Sequence, residues 1–210
     1  MTERQDAGEW RLPQSDSYFR PLLTAEGFEI DHLEAALKYV AGFRTAVDGG
    51  AHIGTWAARM AASFGRVMAF EPARDTFECL CSNTAEFDNV EEIPSALGSS
   101  RMFGAIRDDP LRAGNTGARF VTEGRDFLIE KLDDYELHDL DFLKLDLEGY
   151  EYFALLGAQQ TVRRCRPVVL IEDKDFGNRY GLERGVAAAL LAGWGMKEAE
   201  RVRNDRIFVW

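Results

Sequence analysis

Asp48-Gly49-Gly50-Ala51-His52-Ile53-Gly54 is the stretch on which the reading of this chain turns. It follows the short apolar run Thr45-Ala46-Val47 and leads into the Ala-rich segment 55–64 (TWAARMAASF). A buried strand, a glycine turn and a helix in that order open an α/β sheet, and the turn lies where such sheets bind their ligands. Glycine lets the backbone turn sharply there and approach a ligand closely. Gly65 is placed to stop the helix. Residues 66–71 (RVMAFE), ended by Pro72, then read as a second buried strand.

The alternation continues downstream. Residues 75–87 predict a helix and 91–96 a short third strand. Residues 98–124, rich in Gly, Arg and Asp, predict an irregular segment with some strand, and order returns at 127–132 (FLIEKL). Residues 142–146 (FLKLD) form the fourth strand. Residues 150–164 form a helix with Tyr152, Leu155 and Leu156 on one face, and the small Gly157 and Ala158 would let it approach the sheet closely. Residues 167–172 (PVVLIE) have the Val/Ile/Leu content of a strand buried on both faces. A helix over 185–192 and two closing strands, 196–202 and 206–210, around an Asn204-Asp205 turn complete the pattern. Upstream, Asp31 with Glu34 forms a capping box for a helix carrying Leu33, Ala36, Leu37 and Val40. Strands alternating with helices predict an α/β fold, a mostly parallel sheet covered by helices on both faces.

At 210 residues the chain suits a single α/β domain. Residues 1–40 read as an N-terminal arm and helix. Trp10, Tyr18, Phe19 and Phe28 make this segment too aromatic for a free tail. It is expected to pack on the core as a lid, or as a contact for substrate or for a second copy in a homo-oligomer. Residues 41–210 form the ligand-binding domain. A net charge of −11 disfavours sequence-independent nucleic-acid binding. One segment departs from it: Arg101, Arg107, Arg112, Arg119 and Arg125 stand against Asp108, Asp109 and Glu123, a local +2. That is either a solvated loop or a contact for an anionic part of the substrate. No apolar run approaches the roughly 20 residues of a membrane helix. The opening residues, MTERQD, carry no apolar signal core, so a cytoplasmic location is expected. Cys79, Cys81 and Cys165, odd in number and without CxxC spacing, read as packing thiols.

The acids carry the chemistry. A dinucleotide site would place pyrophosphate at the first glycine turn, where Asp48 would repel it. A ligand with a cationic amino acid moiety would suit Asp48, and S-adenosylmethionine has that moiety plus a sulfonium. Glu71 lies 23 residues after Asp48, at the end of the next strand, where a carboxylate can accept both hydroxyls of a ribose. Strand alternation puts Lys144 and Asp146 on one face. Asp146, at the carboxyl end of the fourth strand, and Glu148 just beyond it could orient a nucleophilic hydroxyl, act as general base, or hold a divalent cation such as Mg. Glu148 alone would also suit a helix N-terminus. Glu172-Asp173-Lys174-Asp175 follows the fifth strand on the same edge, facing substrate or solvent. His32, His52 and His138 lack metal-ligand spacing. His52, inside the turn, either touches the cofactor or fills the turn.

Taken together, these stretches resemble the FkbM-type methyltransferases, a branch of the class I S-adenosylmethionine-dependent superfamily. The resemblance rests on 47–54 (VDGGAHIG), 69–72 (AFEP), 94–98 (PSALG), 141–158 (DFLKLDLEGYEYFALLGA) and 167–172 (PVVLIE), spanning about residues 45–175. It implies a Rossmann-like, seven-stranded, mostly parallel sheet with an antiparallel last strand. It also implies methyl transfer, usually to a hydroxyl of a sugar or natural product, so a small-molecule acceptor. It implies that Asp48 and Gly50 lie against the cofactor's methionine end, Glu71 binds the ribose and Ser95 and Ala96 flank the adenine; Gly49, His52, Gly54, Pro72 and Asp146 are further cofactor-binding candidates. Asp146, Glu148 and Glu172 are the catalytic candidates, and Asp146 with Glu148 the candidate metal ligands. The family usually has Asn where this chain has His52. The rival readings are a nucleotide-dependent Rossmann oxidoreductase, against which Asp48 and the lack of a full GxGxxG speak, and a non-catalytic cofactor-binding module.

Overall fold

The computed structural model describes residues 10–23 and 28–210; residues 1–9 and 24–27 of the expected N-terminal arm lie outside the described residues. In chain order the elements are α1 (Ile30–Leu37), β1 (Thr45–Gly49), α2 (Thr55–Met60), β2 (Arg66–Phe70), α3 (Arg74–Thr84), β3 (Val90–Ile93), β4 (Ser95–Leu97), β5 (Met102–Arg107), β6 (Phe120–Glu123) and β7 (Phe127–Glu130). There follow β8 (Leu140–Leu145), α4 (Glu151–Leu156), α5 (Gln159–Cys165), β9 (Val168–Glu172), α6 (Val186–Gly193), β10 (Lys197–Val202) and β11 (Asp205–Val209).

The main sheet has seven strands in the order β10-β11-β9-β8-β1-β2-β3. Pairing is parallel from β9 to β3, and the last strand, β11, runs antiparallel to both its neighbours. β1 and β9 are buried at every residue, as strands covered on both faces must be. Alternation divides β1 between two cores. Val47 joins Leu155, Val162 and Leu191 from α4, α5 and α6. Ala46 joins Leu33, Trp56, Met60 and Leu80 from α1, α2 and α3. Helices therefore cover both faces, as expected.

Several boundaries differ from expectation, each for a local reason. Helix α1 starts at Ile30 behind a left-handed Glu29, so Asp31 sits in the first turn rather than at the cap. The helix expected over 150–164 is two: the Asp133 carboxylate accepts from Gln160 N at 3.1 Å and Thr161 N at 2.8 Å, starting α5 afresh. Gly157 does allow close approach, since a Cβ there would lie 1.9 Å from the Gly98 carbonyl oxygen. The strand expected over 91–96 is also two, β3 in the main sheet and β4 in a second sheet. The closing turn is Arg203-Asn204, with Arg203 left-handed at φ 53°.

The 98–124 segment is more ordered than its composition suggests. Its strands β5 and β6 join the flanking β4 and β7 in a four-stranded sheet, β4-β7-β5-β6, with Ala96, Val121, Phe127 and Ile129 as a small core. Ile106 and Val121 of this sheet and Thr116 and Arg119 of the loop 108–119 line one cavity with Gly50 after β1 and Asp146 after β8.

Candidate functional site

The glycine turn is fixed by backbone bonds before any side chain acts. Gly50 N and Ala51 N both donate to Phe70 O, at 3.0 and 2.9 Å, and Asp146 N donates to Gly49 O at 3.1 Å. Gly50 has φ 78°, and a Cβ there would sit 2.1 Å from the Asp146 carbonyl oxygen, so this position admits only glycine. Above the turn opens a cavity with an empty volume of about 830 Å³, part of it open to solvent.

Asp48 does not face that cavity. Its side chain is fully buried beneath the turn and bonded by Lys144 Nζ at 2.9 Å, and Lys144 also donates to Gly50 O at 3.2 Å. The surrounding acids, Asp48 foremost, raise Lys144 above its ordinary value despite complete burial. Asp48 therefore neutralises a buried lysine and braces the turn, and its charge would not repel a pyrophosphate, contrary to the sequence argument. Gly49, Gly54 and Ser95 also lie off the cavity wall, while Gly50, His52, Glu71, Pro72, Ala96 and Asp146 lie on it.

Glu71 is buried at the end of β2, and its carboxylate caps local backbone. Oε2 accepts from His52 N at 2.9 Å, and Oε1 from Ala73 N at 2.9 Å and Thr76 Oγ1 at 2.8 Å. Burial nevertheless raises its pKa to about 7. Three of roughly four acceptor positions are thus occupied, leaving room for one further donor.

His52 takes a left-handed conformation, φ 52°, a region more open to Asn and His than to most residues. Its ring lies 4.5 Å from that of Phe19, and Nε2 is 2.8 Å from Thr116 Oγ1. Burial lowers its pKa to about 4, so the imidazole is neutral at pH 7. Thr116 Oγ1 and N in turn donate to Asp16 Oδ2 at 2.5 and 3.0 Å. The N-terminal arm and the 108–119 loop thereby close over the turn, with Phe19, Phe28, Glu29, Thr116 and Arg119 forming the roof. The sequence marks Phe19 and Phe28 as aromatics of a packing arm and Arg119 as part of the Arg-rich segment, but no signal marks Glu29 and Thr116, which meet their partners across a long stretch of chain.

On the β8 side three acids converge. Asp146, Glu148 and Glu172 each present an oxygen within 4.8 Å of the others. Burial raises Asp146, but the ammonium groups of Lys144 and Lys174 outweigh it and hold the carboxyl below its ordinary value. Burial and then Asp146 push Glu172 well above its own, against the pull of Lys174. The 172–175 run thus contributes both an acid and, in Lys174, a cation in contact with it. Asp173 instead pairs with Arg206 at 2.8 Å.

The sequence reading also offered this cluster to a divalent cation, and the donors fit one poorly. Arg112 takes both oxygens of Glu148, at 3.2 and 2.5 Å, and Lys174 engages Glu172. Two of the three acids are therefore already neutralised by side chains where a hard cation would need free oxygens. Two arginines of the Arg-rich segment are likewise spent internally: Arg112 also bonds Asp109 at 3.1 Å, and Arg119 bonds Asp75 and Asp108 at 2.5 and 2.8 Å. Neither arginine is a ready contact for an anionic substrate.

A parallel sheet of this strand order with an antiparallel last strand, holding its cavity at the carboxyl ends of the central strands, is the Rossmann-like fold of class I methyltransferases. Residues 48–186 match the family described as the Methyltransferase FkbM domain, and the chain belongs to that family of S-adenosylmethionine-dependent methyltransferases. Membership leaves the oxidoreductase reading without support. No curated protein matches the chain. Among solved structures, an FkbM methyltransferase from Methylobacillus flagellatus shares 18% identity at a TM-score of 0.53, over 81% of this chain and 45% of that one. The chain therefore spans less than half the length of that relative. A precorrin 8W decarboxylase from Methanobacterium thermoautotrophicum shares 13% identity at a TM-score of 0.51, covering 86% of this chain and 90% of that one. A candidate methyltransferase from Streptococcus mutans, in complex with S-adenosylhomocysteine, shares 9% identity at a TM-score of 0.52, covering 86% and 94%. Likeness at such identities shows the shared fold. Among the described residues no helix is long and apolar enough to cross a membrane.

The cavity suits the family's cofactor in the chemistry of its charged groups. Its wall carries Glu29, Glu71, Asp146 and Glu148, while its two bases, Lys144 and Arg119, are bonded to Asp48 and to Asp75 and Asp108. Arg112 balances Glu148, and burial raises Glu29 and Glu71, but Asp146 is held below its ordinary value and its carboxylate favours a cationic ligand.

Proposed function

We propose that this chain methylates a hydroxyl of a small molecule, such as a sugar or natural product, at the open side of the cavity beside Asp146. The observation that carries the reading is the convergence of Asp146, Glu148 and Glu172 where the sheet's central strands end. S-adenosylmethionine supplies an activated methyl group on a sulfonium, a leaving group that needs no protonation. The protein's work is then to align an acceptor and to receive its proton. Asp146, held ionised by Lys144 and Lys174, is the base of choice. Glu172, raised well above its ordinary value by burial and by Asp146, serves as the hydrogen-bonding neighbour that fixes Asp146. Glu148, clamped by Arg112, positions the acceptor's other hydroxyls. Gly50, His52, Glu71, Pro72 and Ala96 form the cofactor-binding wall, with Glu71 at the ribose; Asp48, Gly49, Gly54 and Ser95 support it from behind. Of the 1–40 arm, Phe19, Phe28 and Glu29 lie in the cavity wall, which supports a lid role over the domain formed by 41–210.

The test is a hydroxylated acceptor panel with labelled S-adenosylmethionine. Asp146→Asn should lose at least about 100-fold in turnover while binding S-adenosylhomocysteine as the unaltered chain does. Loss of cofactor binding instead would assign Asp146 to the cofactor site. Cofactor binding without turnover on any acceptor would favour a non-catalytic module.

A further inference from the structure

Glu29 lies 19 residues before the stretch shared with the family, and no motif assigns it. It sits in the cavity wall, at the N-terminus of α1, near Trp56, Lys144 and Asp146. Three observations mark it. Its backbone is left-handed, φ 54°, a conformation glutamate rarely adopts. The indole of Trp56, two residues after the glycine turn, donates to its Oε2 at 3.0 Å, which aims the carboxylate. Burial and the charge of Asp146 raise its pKa, and Trp56 and Lys144 only partly offset them.

From these we propose that Glu29 is the acceptor for the α-ammonium group of the cofactor's amino acid tail. The proposal rests on the chain being an S-adenosylmethionine-dependent enzyme. The cavity's layout supports it. Glu71 stands beside β2, on the ribose side of the turn, while Glu29, Lys144 and Asp146 stand together on the β8 side. A ligand with a ribose at Glu71 extends its other end toward that trio. Lys144 uses two of its three N–H donors on Asp48 and Gly50, so the third can meet the tail's carboxylate while Glu29 meets the ammonium. An ammonium there would relieve the repulsion between Glu29 and Asp146.

The experiment is a calorimetric double-mutant cycle on the full chain, crossing the unaltered protein and Glu29→Gln with S-adenosylhomocysteine and its analogue lacking the amino group. Loss of either partner should weaken binding about tenfold, and loss of both little more than either alone, as a charge-assisted hydrogen bond requires. If the two losses multiply instead, Glu29 does not contact the ammonium and the proposal falls. The analogue's affinity for the unaltered protein reads the same contact without any substitution, so undiminished binding would also overturn it. Failure of the unaltered chain to bind S-adenosylhomocysteine at all would sink the cofactor reading itself, a separate and recognisable result.

Discussion

The pair of Lys144 and Asp48 shows how one contact can serve fold and site together. Both side chains are almost wholly removed from water, and removing one charge would leave the other buried alone. Lys144→Met is therefore expected to cost about 3–5 kcal/mol, read as a lower urea midpoint at unchanged slope. Adding Asp48→Asn to that variant should recover part of the loss, and a purely additive double variant would refute the coupling. The sequence placed Lys144 and Asp146 on one face, yet it could not say that Lys144 reaches across to Asp48 on the neighbouring strand. Glu71, Asp146, Glu148 and Glu172 were legible because each stands at a strand end with its motif around it. Glu29, Asp16 and Thr116 were not, since their partners are set by tertiary packing rather than by spacing. His52 gains a role the turn alone could not reveal: a neutral imidazole under Phe19, bonded to the loop that closes over it.

At the scale of elements, the parallel strands were readable from continuous apolar runs, while the small sheet β4-β7-β5-β6 was not. Its strands pair through residues such as Gly104 with Glu123 and Phe103 with Leu128, and its composition of Gly, Arg and Asp hides the alternation. The break between α4 and α5 was equally hidden, because its cause, Asp133, lies on a different element. The arm and the 108–119 loop are joined chiefly through Asp16, whose two oxygens accept from Tyr18 N, Phe19 N, Thr116 N and Thr116 Oγ1. Asp16→Ala should leave those donors unpaired, free the roof and lower stability by about 1–3 kcal/mol. Limited proteolysis should then cut the arm several-fold faster while the sheet resists. An unchanged cleavage rate would mean that Phe19 and Gly117 hold the roof alone.

For the whole molecule, burial of so many acids makes stability depend on pH in an unusual direction. Glu71 and Glu151 keep their protons to about 7 in the fold, whereas the unfolded chain releases them near 4.5. Each raised acid therefore loses stability as pH climbs between those values. His52, neutral in the fold down to about 4 against 6.5 unfolded, works oppositely and gains stability over the same span. His32 is raised, chiefly by its bond to Asp205 against the effect of burial, and its contribution is lost as pH rises through its folded pKa. Two acids and His32 outweigh one histidine, so the ligand-free melting temperature should fall from pH 5 to pH 7.5; a steady rise over that range would contradict this account. The strand order carries one more consequence, for a chain still emerging from the ribosome. β1 is central, but its partner β8 begins only at Leu140, after the whole small sheet has been made. Until then β1 has a bare hydrogen-bonding edge and Asp48 has no counter-charge, so the nascent chain passes through a stage that invites chaperone binding or mispairing with other strands.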